Sequence, residues 1–251
     1  MGRLKVVLFI ALGIISFCGF LLTLLPASIF FALLPQEVRA AKGLIIGHPQ
    51  GTIWSGNTTI QFRNFPESSV QWQFDEISAD DLTPAASYNL RITGPHHDMT
   101  AEFTISELQL SMNQLQGSIH ANDINQLSAE YGHRFSGELV LKRVSLTTDF
   151  GCLQSLAGQI HWDGGAILLN VAEPALSLEL PPISGLLDSH DCNASLVLEN
   201  RPDKLMDIQL KPTGWVEVEI YPAMLSLAGL AEPGPASNEL KPVLLFEEKI
   251  L

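Results

Sequence analysis

From residue 43 onward, apolar and polar side chains alternate along the chain, which is the pattern of half-buried β-strands. Each run has one apolar and one polar face, as in antiparallel sheets with one solvated side. The apolar positions of the main runs are Val70, Trp72 and Phe74; Tyr88, Leu90 and Ile92; Met99, Ala101, Phe103 and Ile105; Leu108, Leu110 and Met112; Leu139 and Leu141; Ile160 and Trp162; Leu176, Leu178 and Leu180; Leu196 and Leu198; Ile208 and Leu210; and Val216, Val218 and Ile220. Turn-forming Gly and Pro clusters separate the runs. We therefore expect a mainly β protein with a large antiparallel domain.

Two stretches interrupt the alternation. Residues 122–131 predict a short helix or an ordered loop, and residues 222–230 predict a short helix because Pro222 fits a first helical position. One-sided strands in this number suit an open, curved sheet and a sandwich equally. The pattern leaves both architectures open.

The N-terminal residues have a different pattern, because residues 6–25 are uncharged throughout and follow Arg3 and Lys5. A helix rises about 1.5 Å per residue, so about 20 such residues cross a bilayer. Lys and Arg favour the cytoplasmic side, which predicts a cytoplasmic N-terminus with the bulk of the chain beyond the membrane. A cleaved signal sequence is the alternative, but signal cores are about 7–15 residues long and end at a small-x-small site. This run is longer and stays apolar through Leu34, which favours a retained anchor.

These features divide the chain into four segments. Residues 1–5 form a cytoplasmic stub, and residues 6–34 form a transmembrane helix and an interfacial segment, with a break at Pro26. Residues 43–230 form the exported β-rich domain with one or two short helices. Residues 231–251 form a Pro-rich linker and a tail, whose residues 242–250 are either a last strand or loose.

The charge balance narrows the range of partners. The chain carries 14 Lys and Arg and 27 Asp and Glu, a formal net charge of -13. Four of the basic residues and one acidic residue precede residue 43, so the remainder is more acidic still. An acidic domain repels phosphates, and no basic stripe with interleaved aromatic residues occurs. We expect no nucleic-acid binding.

Two of the three cysteines lie beyond the anchor. Cys18 is inside the apolar run, whereas Cys152 and Cys192 belong to the part that we expect to be exported, which favours a disulfide between them. The neighbouring His190 and Asp191 suggest a metal site as the alternative, but the ligand count there is poor. The disulfide is the preferred interpretation.

No catalytic motif emerges from the sequence. Ser55 is not in a Gly-x-Ser-x-Gly elbow, and no phosphate-binding loop or dinucleotide fingerprint occurs. His96, His97 and Asp98 lie between two alternating runs, which favours a hairpin turn over a ligand cluster. We expect no enzyme, no catalytic residues, no cofactor and no metal.

Two tryptophans, Trp54 and Trp72, fall in what the pattern predicts to be the first strands after the anchor. Large aromatic side chains in such positions usually fill the core beneath a sheet, with nearby glycines allowing close strand approach. A partner-docking surface is the alternative. We favour the core.

Several short motifs occur in a fixed order: the basic start, the apolar run, Leu24-Leu25-Pro26-Ala27-Ser28, Gly51-Thr52-Ile53-Trp54-Ser55-Gly56, Val70-Gln71-Trp72 and Gly158-Gln159-Ile160-His161-Trp162. Together they resemble the type II secretion system protein N family over about residues 3–230. The motif residues Gly51, Thr52, Trp54, Gly56, Trp72 and Trp162 are expected to be structural. The resemblance brings no catalytic residue with it.

The resemblance implies a bitopic inner-membrane protein of a Gram-negative bacterium whose bulk lies in the periplasm. It implies an accessory or scaffold subunit that assists export of folded proteins across the outer membrane. The implied partners are other type II secretion inner-membrane components, with the secretin or pseudopilins as further candidates. Two hypotheses compete with it. A membrane-anchored β-sheet module that carries or shields lipid fits the alternating apolar face, whereas an envelope enzyme has no supporting motif.

Overall fold

The computed structural model describes residues 2–33, 43–80, 83–107, 109–149, 151–170, 175–230 and 241–249. The predicted linker at 231–240, position 108 of the predicted pattern and the end of the interfacial segment at Leu34 lie outside the described residues.

Two helices open the chain. Helix α1 spans Gly2–Thr23, and its Val6–Thr23 portion has a mean hydropathy of 2.6, so by length and composition it is able to cross a membrane. The chain bends at Pro26, and helix α2 then covers Ala27–Leu33. Pro lacks the N–H that a continuing helix requires, which explains why one long apolar run gives two helices.

In the described part of the chain, seventeen strands, two further short helices and one 3₁₀ turn follow. The strands are β1 (Leu44–Ile46), β2 (Gln50–Gly51), β3 (Ser55–Phe62), β4 (Ser68–Asp80), β5 (Thr83–Thr93), β6 (His97–Ser106), β7 (Leu110–His120), β8 (Arg134–Phe135), β9 (Glu138–Thr148), β10 (Leu153–Trp162), β11 (Gly165–Leu169), β12 (Leu176–Leu180), β13 (Ile183–His190), β14 (Asn193–Asn200), β15 (Asp203–Leu210), β16 (Trp215–Ile220) and β17 (Leu244–Lys249). Helix α3 (Ala121–Leu127) continues into the 3₁₀ turn (Ser128–Tyr131), and helix α4 is Pro222–Leu227.

Fourteen strands form one antiparallel sheet in nearly sequential order, β1-β3-β4-β5-β6-β7-β9-β10-β13-β14-β15-β16-β17, with β2 also paired to β3. Strands β8, β11 and β12 leave this order and form a second, three-stranded sheet. The predicted mainly β, antiparallel fold is therefore confirmed, and the large sheet is open rather than closed.

The small sheet covers the C-terminal half of the large one. The most buried cluster is Leu180, Ile183 and Leu205, and side chains of β11, β12, β14 and α4 pack against it. The sequence left an open sheet and a sandwich undecided, and the structure has features of each: an open sheet that is locally doubled.

Most local sequence signals are confirmed. Each alternating run lies on a strand as far as the chain is described, and the interruptions at residues 122–131 and 222–230 are helical. The last strand, β17, decides the alternative left open for residues 242–250 in favour of a strand. Trp54 is the exception, because it lies in the turn between β2 and β3 rather than on a strand. From this turn its indole contacts α1.

Candidate functional site

The end of the apolar helix α1 is bonded directly to the first turn of the sheet. Trp54 Nε1 donates to the backbone carbonyl of Leu22 at 2.8 Å, and the Ile53 N–H donates to the carbonyl of Leu25 at 3.0 Å. Pro26 and Thr52 form an isolated antiparallel bridge beside these contacts. Because each side supplies backbone groups, the helix and the sheet form a continuous unit at this point.

The Gly-Thr-x-Trp-Ser-Gly motif builds the turn that makes these bonds possible. Gly51 has a φ of 91°, which L side chains rarely adopt. The Thr52 hydroxyl accepts from the N–H groups of Trp54 and Ser55 at 3.2 and 3.3 Å. Gly56 lies under the Trp72 ring with no room for a Cβ.

Trp72 ties the same turn to β4, since its Nε1 donates to the Thr52 carbonyl at 3.0 Å. Its ring also lies 5.8 Å from that of Phe31 on α2. Trp162 is placed elsewhere, on β10, where its Nε1 donates to the Ser136 carbonyl at 2.8 Å and its ring joins the C-terminal core. Five of the six motif residues thus meet at the anchor, and the sixth does not.

Beside the anchor, α2 and the apolar face of strands β4–β6 enclose a groove of about 220 Å³. We call it the mouth; its lining residues are Ala27, Phe31, Ile53, Val70, Trp72, Tyr88, Leu90, Phe103 and Ile105. All of these side chains are apolar or aromatic. The groove therefore begins close to where the apolar helix α1 ends.

A second and larger space lies between the two sheets. It has a volume of about 660 Å³ and is lined by apolar side chains of the large sheet, the small sheet, α3 and α4. We call it the cavity; representative lining residues are Leu139, Ile160, Trp162, Ile167, Leu178, Leu198, Ile208 and Met224. Protein cores are normally packed without voids of this size, whereas ligand sites commonly have such volumes.

One row of register-paired residues connects the two spaces across ten strands of the large sheet. We call it the apolar row; its members are Val70, Ile92, Met99, Gly117, Leu141, Ile160, Gly185, Leu198, Met206 and Ile220. Directly paired residues in an antiparallel sheet share a face. Nine members of the row are half-buried, whereas Gly185 is buried. The opposite face carries polar groups such as Thr100, Gln116 and Lys142.

A buried polar cluster connects the ends of β4, β6 and α3. Ser68 Oγ lies 2.8 Å from His97 Nε2, and His97 Nδ1 lies 2.7 Å from Asp123 Oδ2. His96 adds its Nδ1, 3.0 Å from Asp123 Oδ1, and its backbone N–H, 3.2 Å from Oδ2. An ionised carboxylate only accepts hydrogen bonds, so both imidazoles donate to Asp123.

This order of groups is that of a Ser-His-Asp catalytic triad, but the site is sealed. Ser68, His97 and Asp123 are 3%, 5% and 0% exposed. The centroids of the Phe65 and His97 rings lie 5.1 Å apart, and Gly94 lies against the His97 imidazole. A substrate carbonyl has no access to the hydroxyl, so the arrangement serves to cross-link three elements.

The electrostatics of Asp123 fit this structural role. Burial raises the pKa of its carboxyl, but the hydrogen bonds from His97 and His96 outweigh that effect, so the pKa lies below its ordinary value. The sequence interpretation treated residues 96–98 only as a turn and missed the cluster. The turn between β5 and β6 comprises residues 94–96, so of the three predicted turn residues only His96 lies in it, whereas His97 and Asp98 begin β6.

The predicted disulfide is present and lies away from these features. Cys152 and Cys192 are joined at a sequence separation of 40, and they connect the start of β10 to the β13–β14 turn. The metal alternative has no support among the described residues, which contain no group of three or more His, Cys, Asp or Glu able to hold an ion.

Comparison with protein families identifies the chain. The sequence profile of the type II secretion system (T2SS) protein N family matches residues 42–245. The chain belongs to the type II secretion system protein N family. No curated protein and no solved structure matches it.

The T2SS protein N match covers nearly all of both sheets and reaches into β17, beyond residue 230 where the sequence motifs ended. It starts after α1 and α2, so family membership rests on the β-rich part. In this T2SS protein N chain, that part contains the anchor turn, the mouth, the cavity and the buried cluster.

Proposed function

We propose that this chain is an accessory or scaffold subunit of the type II secretion system, anchored in the inner membrane with its sheets in the periplasm. The observation that carries the proposal is the protein N family match over residues 42–245. The contacts between the sheet and its anchor also support a scaffold role, because a sheet bonded to its anchor holds any partner at a defined place beside the membrane.

The N-terminal helix supports the anchoring. Its large apolar side chains are mostly more than half exposed, for example Phe9 at 73% and Leu8 at 69%, which in water would be unfavourable. Arg3 and Lys5 fall in its first turn, which supports a cytoplasmic N-terminus. The Cys152–Cys192 disulfide supports an oxidising compartment such as the periplasm for the sheets.

Strand β17 supports a docking role. It closes one end of the strand order, where it pairs with β16, and all six of its residues are exposed. Leu244, Leu245 and Phe246 expose apolar side chains beside Glu247 and Glu248. An edge strand offers backbone groups to a strand of another chain. We propose that an inner-membrane component of the system, the secretin or a pseudopilin adds a strand here.

We further propose that the chain is not an enzyme. The Ser68–His97–Asp123 cluster is the one arrangement that resembles a catalytic site among those described above, and its burial leaves the hydroxyl without substrate access. Family membership in a secretion component agrees with this interpretation.

Two measurements test the proposal. Protease added to spheroplasts is expected to degrade the β-rich part, whereas protection until lysis would contradict the orientation. Purification of the tagged full chain from membranes in mild detergent is expected to recover other secretion components. Recovery of none, with the anchor intact and the disulfide formed, would contradict the scaffold role.

A further inference from the structure

The mouth, the apolar row and the cavity form one apolar path that the scaffold role does not explain. It starts at α2 and ends beneath the small sheet. Strands in a sheet lie about 4.8 Å apart, so the path from β4 to β16 is roughly 40 Å long. The hydrocarbon depth of one leaflet is about 15 Å, so a lipid reaches the far end of the path only by moving along it.

The chemistry of the path selects its occupant. A peptide strand laid on it would bury N–H and C=O groups against Ile92, Met99 and Leu141, where apolar side chains offer them no hydrogen-bond partner. A hydrocarbon chain has no such groups and gains from contact with apolar surface throughout. The cavity likewise has apolar side chains on the large sheet, the small sheet and both short helices.

The position of the mouth indicates where the hydrocarbon chain comes from. Phe31 and Ala27 of α2 form one wall, and α2 follows the membrane-spanning helix after a break of three residues. Trp54, bonded to Leu22, fixes the sheet at this place. The opening of the path is therefore held at the bilayer surface, where phospholipid is the most abundant apolar molecule.

We propose that a phospholipid of the bilayer enters at the mouth with an acyl chain on the apolar face and moves along the apolar row to the cavity between the sheets. Its headgroup stays in water outside the path, because the path provides no polar partner for it. The site is distinct from the β17 edge, so lipid binding and partner docking are separable.

The test uses the full chain reconstituted in phosphatidylethanolamine and phosphatidylglycerol vesicles. A small share of the phosphatidylethanolamine carries a diazirine in one acyl chain, and adducts are mapped after irradiation by mass spectrometry of peptides. We expect adducts in cavity-lining strands β10, β14 and β15 as well as in α1. Adducts confined to α1 and α2 would overturn the proposal.

A matched pair of variants on one strand tests the route. Met99→Glu places a carboxylate in the apolar row, and Thr100→Glu places the same charge on the polar face. We expect Met99→Glu to lower cavity adducts by about tenfold or more, since a charge among apolar groups is strongly disfavoured. The adducts at the mouth should stay unchanged in Met99→Glu, and the whole adduct pattern should stay unchanged in Thr100→Glu. Equal cavity labelling in Met99→Glu and the original chain would overturn the route.

Two controls keep the result decisive. If Met99→Glu fails to form the disulfide or unfolds at much lower urea than the original chain, Ile208→Trp replaces it, because it fills the cavity itself and is expected to remove cavity adducts. A parallel sample receives a free diazirine fatty acid instead of the lipid. Cavity labelling by the free acid with none from the phospholipid would overturn the assignment of the source.

Discussion

The indole Nε1 of Trp54 donates a 2.8 Å hydrogen bond to the backbone carbonyl of Leu22, across 32 residues of sequence. Leu22 lies in the last turn of α1, and its carbonyl also accepts from the Leu25 N–H at 3.3 Å. The Trp54 indole is a second, closer donor to this oxygen and fixes the sheet to the end of α1. A flexible tether would leave the mouth free to move away from the bilayer.

Trp54→Phe removes this hydrogen bond while keeping an aromatic ring against Phe74. Loss of one such bond costs about 1 kcal/mol, so local opening of the junction should increase about fivefold. The measurement is hydrogen exchange of the Ile53 amide, which donates to Leu25 at the same junction. Trp215→Phe, on β16, is the control and should leave that amide unchanged. Equal exchange in both variants would contradict the role of Trp54.

Asp123→Asn replaces the carboxylate that accepts bonds from both His96 and His97. The amide nitrogen cannot accept, so buried donors lose a partner, and we expect the free energy of unfolding to fall by about 3 kcal/mol. Urea unfolding of the full chain in detergent measures this. Asp98→Asn removes an exposed pair with Arg91 and should have little effect. Similar losses in the two variants would argue against a cross-linking role for the cluster.

The same carboxylate predicts a dependence on acid. Burial raises the pKa of Asp123, but hydrogen bonds lower it more, so its folded-state pKa lies below the ordinary 3.8. A pKa that is lower in the folded state stabilises that state. The stabilisation is complete above the ordinary pKa and is lost as the pH falls through the folded-state pKa. Urea midpoints measured downward from neutral pH should therefore decline less steeply below pH 3.8 in Asp123→Asn than in the original chain. Parallel declines would contradict this prediction.

Removing the disulfide should destabilise the sheet. Cys152 and Cys192 close a loop with a sequence separation of 40, which in the chain-entropy model is worth about 4 kcal/mol. The double variant Cys152→Ser with Cys192→Ser should unfold at lower urea by a corresponding amount. Cys18→Ser, in the membrane-spanning helix, is the control and should leave the midpoint unchanged. A double variant as stable as the control would show that the bridge is dispensable.

The sequence predicts the strands well because a side-chain period of two is a local property. It does not separate an open sheet from a sandwich, because a strand that faces a second sheet and one that faces a groove have the same period. Strands β8 and β11 are short, and no pattern tells that they pair with each other rather than within the large sheet. The strand order, by contrast, follows from sequential hairpins.

The sequence contains a signal for the buried cluster, which is the position of His97 and Ser68 on their strands. His97 has the same parity as Met99, Ala101 and Phe103, so it belongs to the apolar face of its strand and must be buried with a partner. Ser68 has the same relation to Val70. Asp123 has no such signal, because only the tertiary fold brings α3 to the end of β6.

Site-specific photo-crosslinking in cells with a working secretion system tests the central claim most directly. A photoreactive amino acid is placed at Leu245 on the exposed β17, and the matched control carries it at Thr100 on the polar face of β6. The account predicts adducts with another type II secretion component from position 245 and none of the same mass from position 100. If no adduct from position 245 contains a secretion component, in cells that secrete normally, the account is contradicted.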